Sequence, residues 1–99
     1  MRLAFTPLAE QDLEAIADYI AADNPVRALS FVRELRTQCQ RITLNPPGYR
    51  LRPELGDRIR SCAHGHHVIF FESNSDVVVI VRILHGARDI PAVFGADPE

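Results

Sequence analysis

The sequence predicts a two-layer α+β fold in the order βααβββ: a mainly antiparallel four-stranded sheet with an N-terminal helical hairpin packed on one face. Three observations predict it. Two early stretches repeat apolar residues at helical spacing, with only Asp23-Asn24-Pro25 between them. Three later stretches are rich in Val, Ile and Phe, and Gly65 and Ser73-Asn74-Ser75-Asp76 separate them at distances that suit hairpins. Finally, 99 residues of which 46% are hydrophobic bound a single packed domain, residues 1–99, and not a disordered chain.

Each element follows from local chemistry. Arg2 to Phe5 reads as a short strand. Thr6 then supplies an N-cap hydroxyl and Pro7 a fixed φ at the first helical position. Glu10 and Asp12 suit the positive end of a helix, and Leu13, Ile16, Ala17 and Ile20 form its apolar stripe. Asn24 and Pro25 repeat the cap and start a second helix, whose stripe is Ala28, Phe31, Val32, Leu35, Cys39 and Ile42. Asn45-Pro46-Pro47-Gly48 ends it. Residues 48–56, with Gly48, Pro53 and Gly56, read as a loop carrying Arg50 and Arg52. Strands follow near Arg58–Ala63, His67–Glu72 and Val77–Leu84, and the last, apolar on both faces, belongs inside the sheet. Gly86 lets the chain turn out of that strand. Pro91, Gly95 and Pro98 allow at most a turn of helix in a flexible tail, roughly 91–99.

Composition narrows the function classes. No apolar run approaches the roughly 20 residues that cross a bilayer, and Met1 to Pro7 lacks a signal-peptide pattern. The expectation is a cytoplasmic protein without a membrane partner, in which Cys39 and Cys62 stay reduced. All positive charge is arginine, which matches codon usage in a GC-rich genome. Its distribution says more. Residues 1–24 carry one Arg against five acids, residues 25–60 eight Arg against three, and residues 61–99 two Arg against five. A basic middle between acidic ends suits a partner bearing carboxylates or phosphates, while the overall net charge of −2 does not suit a general nucleic-acid binder.

The chemistry-bearing residues are weighed in turn. Cys62, His64, His66 and His67 crowd one turn, yet their spacing matches no zinc-ligand pattern, and they read as a hairpin tip without a metal. Ser30, Ser61, Ser73 and Ser75 lack a nucleophile setting, and no glycine loop cradles phosphate, so no cofactor is expected. Glu10, Glu14 and Asp18 form a solvated helix face. Arg58 and Arg60 share one strand face. Arg82 follows an apolar run and shares its face with Val78, Ile80 and Leu84; a guanidinium there needs a partner, with Asp89 or Glu72 as candidates. His64, His66, His85 and the arginines leave room for RNA cleavage by acid, base and cation.

Several segments in order carry a resemblance. They are Phe5-Thr6-Pro7-Leu8-Ala9 with Asp12-Leu13 and Ile16, Asn45-Pro46-Pro47-Gly48, Leu51-Arg52-Pro53-Glu54-Leu55, Ile59-Arg60-Ser61 and His67-Val68-Ile69-Phe70-Phe71. The most specific is Val81-Arg82-Ile83-Leu84-His85-Gly86-Ala87-Arg88-Asp89. Together they resemble ParE toxins of the RelE/ParE superfamily, from bacterial type II toxin–antitoxin modules. The resemblance implies a compact sheet carrying a helical hairpin. It implies inhibition of DNA gyrase by binding alone, and a ParD-like antitoxin whose N-terminal part holds DNA while its C-terminal part wraps the toxin. Contact with DNA is then only indirect.

RelE-type relatives instead cut mRNA in the ribosome, using clustered Lys and Arg with a tail Tyr or His. Here there is no Lys, and Phe94, which cannot transfer a proton, stands at the tail aromatic position. Arg88 matches a tail arginine of both branches. These departures favour gyrase as the target, with ribosome-dependent mRNA cleavage as the alternative. The target-binding surface is expected at Arg82, His85, Arg88 and Asp89, with Arg82 as its structural support, and no catalytic residue is expected. The basic stretch with Arg33, Arg36, Arg50 and Arg52 is expected to receive an acidic amphipathic antitoxin segment.

Overall fold

The computed structural model describes residues 1–95. Strand β1 (Arg2–Phe5) leads into helices α1 (Pro7–Ala21) and α2 (Pro25–Ile42). A 3-10 turn at Pro46–Gly48 precedes β2 (Arg50–Leu51), β3 (Arg60–His64), β4 (His67–Ser73) and β5 (Val77–His85). One helical turn, α3 (Ile90–Val93), follows. Both helix starts form as their sequence dictates. The Thr6 hydroxyl accepts from the Ala9 N–H at 3.0 Å, and Asn24 Oδ1 accepts from the Arg27 N–H at 3.0 Å, each with proline next in the chain.

The strands make one mixed sheet in the order β1-β5-β4-β3-β2, five strands where four were expected. β1 lies parallel to β5, and the other pairings are antiparallel. The additional strand is β2, inside the stretch read as a loop. It pairs only Arg50 with Ser61 and Leu51 with Arg60, and the Arg52 N–H extends the ladder to the Ile59 carbonyl at 2.7 Å. Two residues are too few to show a period of two. β3 begins at Arg60, so Arg58 does not share a strand face with it.

Alternation along β4 divides the core. Ile69 and Phe71 point into the cluster under the helices with Leu13, Leu35, Cys39 and Ile80. Phe70, between them, packs on the opposite face with Leu55, Ile59, Leu84 and Ile90. All three are fully buried, each contributing roughly 1.5–3 kcal/mol of burial. The second face is therefore covered by residues 55–59 and α3. The remainder of the expected tail, residues 96–99, lies outside the described residues.

A bulge sits in β5. Phe71 pairs with Ile80 and Phe70 with Arg82, leaving Val81 as the additional residue. The phase of the strand shifts there: Val78 and Ile80 lie under the helices before the bulge, Ile83 after it, and Leu84 on the far face. Arg82 therefore does not share a face with Val78 and Ile80, contrary to the simple alternation of the sequence.

Candidate functional site

β1 pairs with β5 only as far as Phe5 opposite Ile80. Beyond that point α1 takes over as the neighbour of β5. The Thr6 N–H donates to the Ile80 carbonyl at 3.0 Å and the Thr6 hydroxyl to the Val81 carbonyl at 2.8 Å. Six residues on, the Ile83 N–H donates to Asp12 Oδ2 at 2.9 Å. Side chains of a helix thus satisfy backbone groups that a strand would otherwise pair.

The same carboxylate holds Arg82. Its Nε donates to Asp12 Oδ2 at 2.8 Å and its Nη2 to Asp12 Oδ1 at 2.9 Å, a bidentate pair. The two side chains are only 17% and 11% exposed. Hydrogen bonding to Asp12 raises the Arg82 pKa against the opposing effect of burial. Asp12 is the partner of Arg82, and not Asp89 or Glu72. Asp89 instead caps α3, its Oδ1 accepting from the Ala92 N–H at 3.4 Å. The signal for Asp12 was in the sequence: it lies three residues after buried Ala9 and beside buried Leu13, on the margin of the apolar stripe.

His85 and Arg88 come together at the end of β5. The Ala87 N–H donates to His85 Nδ1 at 3.1 Å, so the neutral ring carries its proton on Nε2. The Arg88 N–H donates to the His85 carbonyl at 3.1 Å, and its guanidinium has no ion pair among the described residues. Gly86 does not adopt a positive φ. Its lack of a side chain serves close passage instead: a Cβ there would lie 3.4 Å from the His66 carbonyl oxygen, which accepts from the Gly86 N–H at 2.8 Å.

The four histidines gather at this end but serve different neighbours. His64 meets Glu34 at 3.3 Å, and Glu34 also holds Arg27 at 2.6 Å. Hydrogen bonds from Arg27 and then His64 keep the Glu34 carboxyl below its ordinary range. His66 stacks on His85 at 6.1 Å between ring centres. His67 packs between Phe31 at 5.4 Å and His85 at 5.3 Å. Burial, followed by the neighbouring His85, His66 and His64, lowers the His67 pKa, and its Nδ1 is buried without a hydrogen-bond partner. Among the described residues, no three His, Cys, Asp or Glu side chains group to hold a metal ion. Cys39 and Cys62 are free and buried, and burial pushes the Cys39 thiol up to about 12.

Two clefts are relevant. One, of about 280 Å³, opens between α1 and the end of β5, floored by Ile16, Ile20 and Ile83 and rimmed by Tyr19, His85 and Arg88. The other, about 430 Å³, runs between α2 and β1, with Leu3, Phe5, Leu29 and Val32 as its apolar surface and Arg33 and Arg36 above them. Arg36 lies over the Phe5 ring at 5.2 Å and pairs with Glu10 at 3.3 Å. Arg50 and Arg52 are not part of this surface. They sit at the opposite sheet edge, on and just after β2, where Arg52 pairs with Glu54 at 2.7 Å and lies over Phe70 at 5.7 Å. The four arginines read as one basic stretch thus divide into two patches, because β1 and β2 occupy opposite edges.

The chain thus combines a sheet with a helical hairpin on one face, a capped tail and two arginine-flanked clefts. The family described as "ParE toxin of type II toxin-antitoxin system, parDE" matches residues 3–90, and the chain belongs to it. A solved chain described as "Chromosomal ParDE TA system from P. aeruginosa" is similar in fold, with a TM-score of 0.73 and 24% identity. That likeness covers 86% of this chain and 95% of the other. No curated protein matches. No helix among the described residues is long and apolar enough to cross a membrane.

Proposed function

We propose that this chain is a toxin that inhibits DNA gyrase by binding, without chemistry of its own, and that a ParD-like antitoxin neutralises it in the cytoplasm. Family membership supports the module. The observation that carries the mode of action is the pairing of Arg82 with Asp12 at 2.8 Å. It removes the most enclosed cation at the end of β5 from any work on a phosphate, leaving Arg88 as a single recognition cation beside His85. Phe94 adds to this reading: it packs edge-on against Phe70 at 5.1 Å, in the second core.

The antitoxin is assigned to the groove between α2 and β1, where Arg33 and Arg36 flank an apolar surface. That composition suits an amphipathic segment with acidic residues on its rim. An extended antitoxin that wraps the toxin reaches Arg50 and Arg52 separately. DNA is then contacted by the antitoxin and not by this chain.

A second reading, ribosome-dependent mRNA cleavage, draws on the packing of His66, His67 and His85 near Arg88, where ring nitrogens gather beside a cation. Purified gyrase and ribosome-bound mRNA, each exposed to the same toxin preparation, discriminate the two. Loss of supercoiling with intact mRNA supports the gyrase reading, and the reverse supports cleavage.

A further inference from the structure

We propose that the cleft between α1 and the end of β5 is a socket for one apolar side chain of gyrase with a carboxylate beside it. The choice of gyrase rests on the function proposed above; the chemistry of the occupant rests on the cleft itself. At about 280 Å³ the cleft suits a single large side chain better than a drug-sized ligand, and Ile16, Ile20 and Ile83 give it an apolar floor.

The polar groups at its rim set the sign of the occupant. Asp12 lines the cleft, but its two oxygens already accept from Arg82 Nε, Arg82 Nη2 and the Ile83 N–H. What remains is donor-rich. Arg88 has no ion pair among the described residues, and the neutral His85 ring offers Nε2–H because Nδ1 is engaged by Ala87. A guanidinium fork beside an imidazole N–H suits a carboxylate.

Tyr19 completes the site. It is 85% exposed at the rim. A solvent-facing tyrosine beside an arginine with no ion pair among the described residues has the composition of an interface anchor pair. A nucleic-acid strand is the weaker fit. Glu14 and Asp18 stand exposed on the helix that forms one wall, and they repel a chain of phosphates far more than a single carboxylate.

The test uses the full chain and two arms. In the first, histidine-ring and isoleucine-methyl NMR signals are followed during addition of N-acetyl-phenylalanine, N-acetyl-phenylalaninamide or a short single-stranded RNA. The acid is expected to shift His85 and Ile83 saturably, with affinity at least about tenfold above the amide, and Arg88→Ala is expected to abolish that preference. Equal binding of acid and amide, no shift with the acid, or tighter binding of RNA in the cleft overturns the proposed chemistry.

In the second arm, Tyr19→Ala and Arg88→Ala are compared with the wild-type chain as inhibitors of gyrase supercoiling. Each variant is expected to need about tenfold more protein for the same inhibition. Both positions are exposed, and circular dichroism is to check that each variant stays folded. Undiminished inhibition by both folded variants overturns the socket while leaving gyrase as the target. Failure of the wild-type chain to inhibit overturns gyrase as the source, and the first arm then reports on the chemistry alone.

Discussion

At the scale of single residues, Asp12 ties the site to the fold. One carboxylate accepts three hydrogen bonds, joining α1 to Arg82 and to the backbone of β5. Asp12→Ala leaves a mostly enclosed guanidinium and a backbone N–H without partners. It should lower unfolding stability by about 2–3 kcal/mol, measured by urea denaturation. Asp12→Asn retains an acceptor and loses the charge, so a smaller loss is expected. Equal stability of Asp12→Ala and the wild type would show that the pair contributes nothing.

His67 supplies the pH-dependent residue. Burial lowers its pKa below the ordinary 6.5, so the unfolded chain binds this proton more readily than the folded one. The stability present above pH 6.5 should therefore fall as pH drops below that value, until the folded ring is itself protonated. His67→Phe should flatten this part of the stability–pH curve. A curve of unchanged shape in that variant would assign the acid sensitivity to other groups.

At the scale of elements, the hand-over from β1 to α1 decides where the site lies. Thr6 both caps α1 and donates to the Val81 carbonyl at the bulge. Thr6→Ala removes both bonds and should cost about 1–2 kcal/mol, whereas Thr6→Ser should recover most of it. If Ser fails to rescue, methyl packing and not the hydroxyl explains the position.

Elements differed in how plainly the sequence displayed them. The helix starts were legible because Thr6-Pro7 and Asn24-Pro25 carry their own caps. β2 was hidden because two paired residues generate no alternation. The bulge was hidden because Val77 to Val81 are all apolar and give no phase to read, so Arg82 was placed on the wrong face. Its partner is hidden for a different reason: Asp12 lies 70 residues away and meets Arg82 only once α1 replaces β1 beside β5. The local segment His85 to Asp89 was legible as a polar turn, but the division of labour inside it was not. Asp89 caps α3 from an exposed position, and Arg88 has no ion pair among the described residues.

At the scale of the whole molecule, the two clefts lie apart, one between α2 and β1 and the other between α1 and the end of β5. The α2–β1 groove bears Arg33 and Arg36 and is assigned to the antitoxin; the α1–β5 cleft bears His85 and Arg88 and is assigned to the target. Reversing Arg33 and Arg36 to Glu should slow antitoxin association at low salt by about tenfold or more, and added salt should shrink the difference. The same change should leave gyrase inhibition by free toxin intact. Stopped-flow association and supercoiling assays on one variant check both statements, and loss of both activities together would mean that the surfaces are shared.

The central claim is that the toxin acts by binding gyrase. The direct measurement is plasmid supercoiling by purified gyrase with increasing toxin, run alongside ribosome-bound mRNA in the same buffer. Supercoiling should fall with toxin concentration and recover when the antitoxin is added, while the mRNA stays intact. Undisturbed supercoiling together with cut mRNA would contradict the claim.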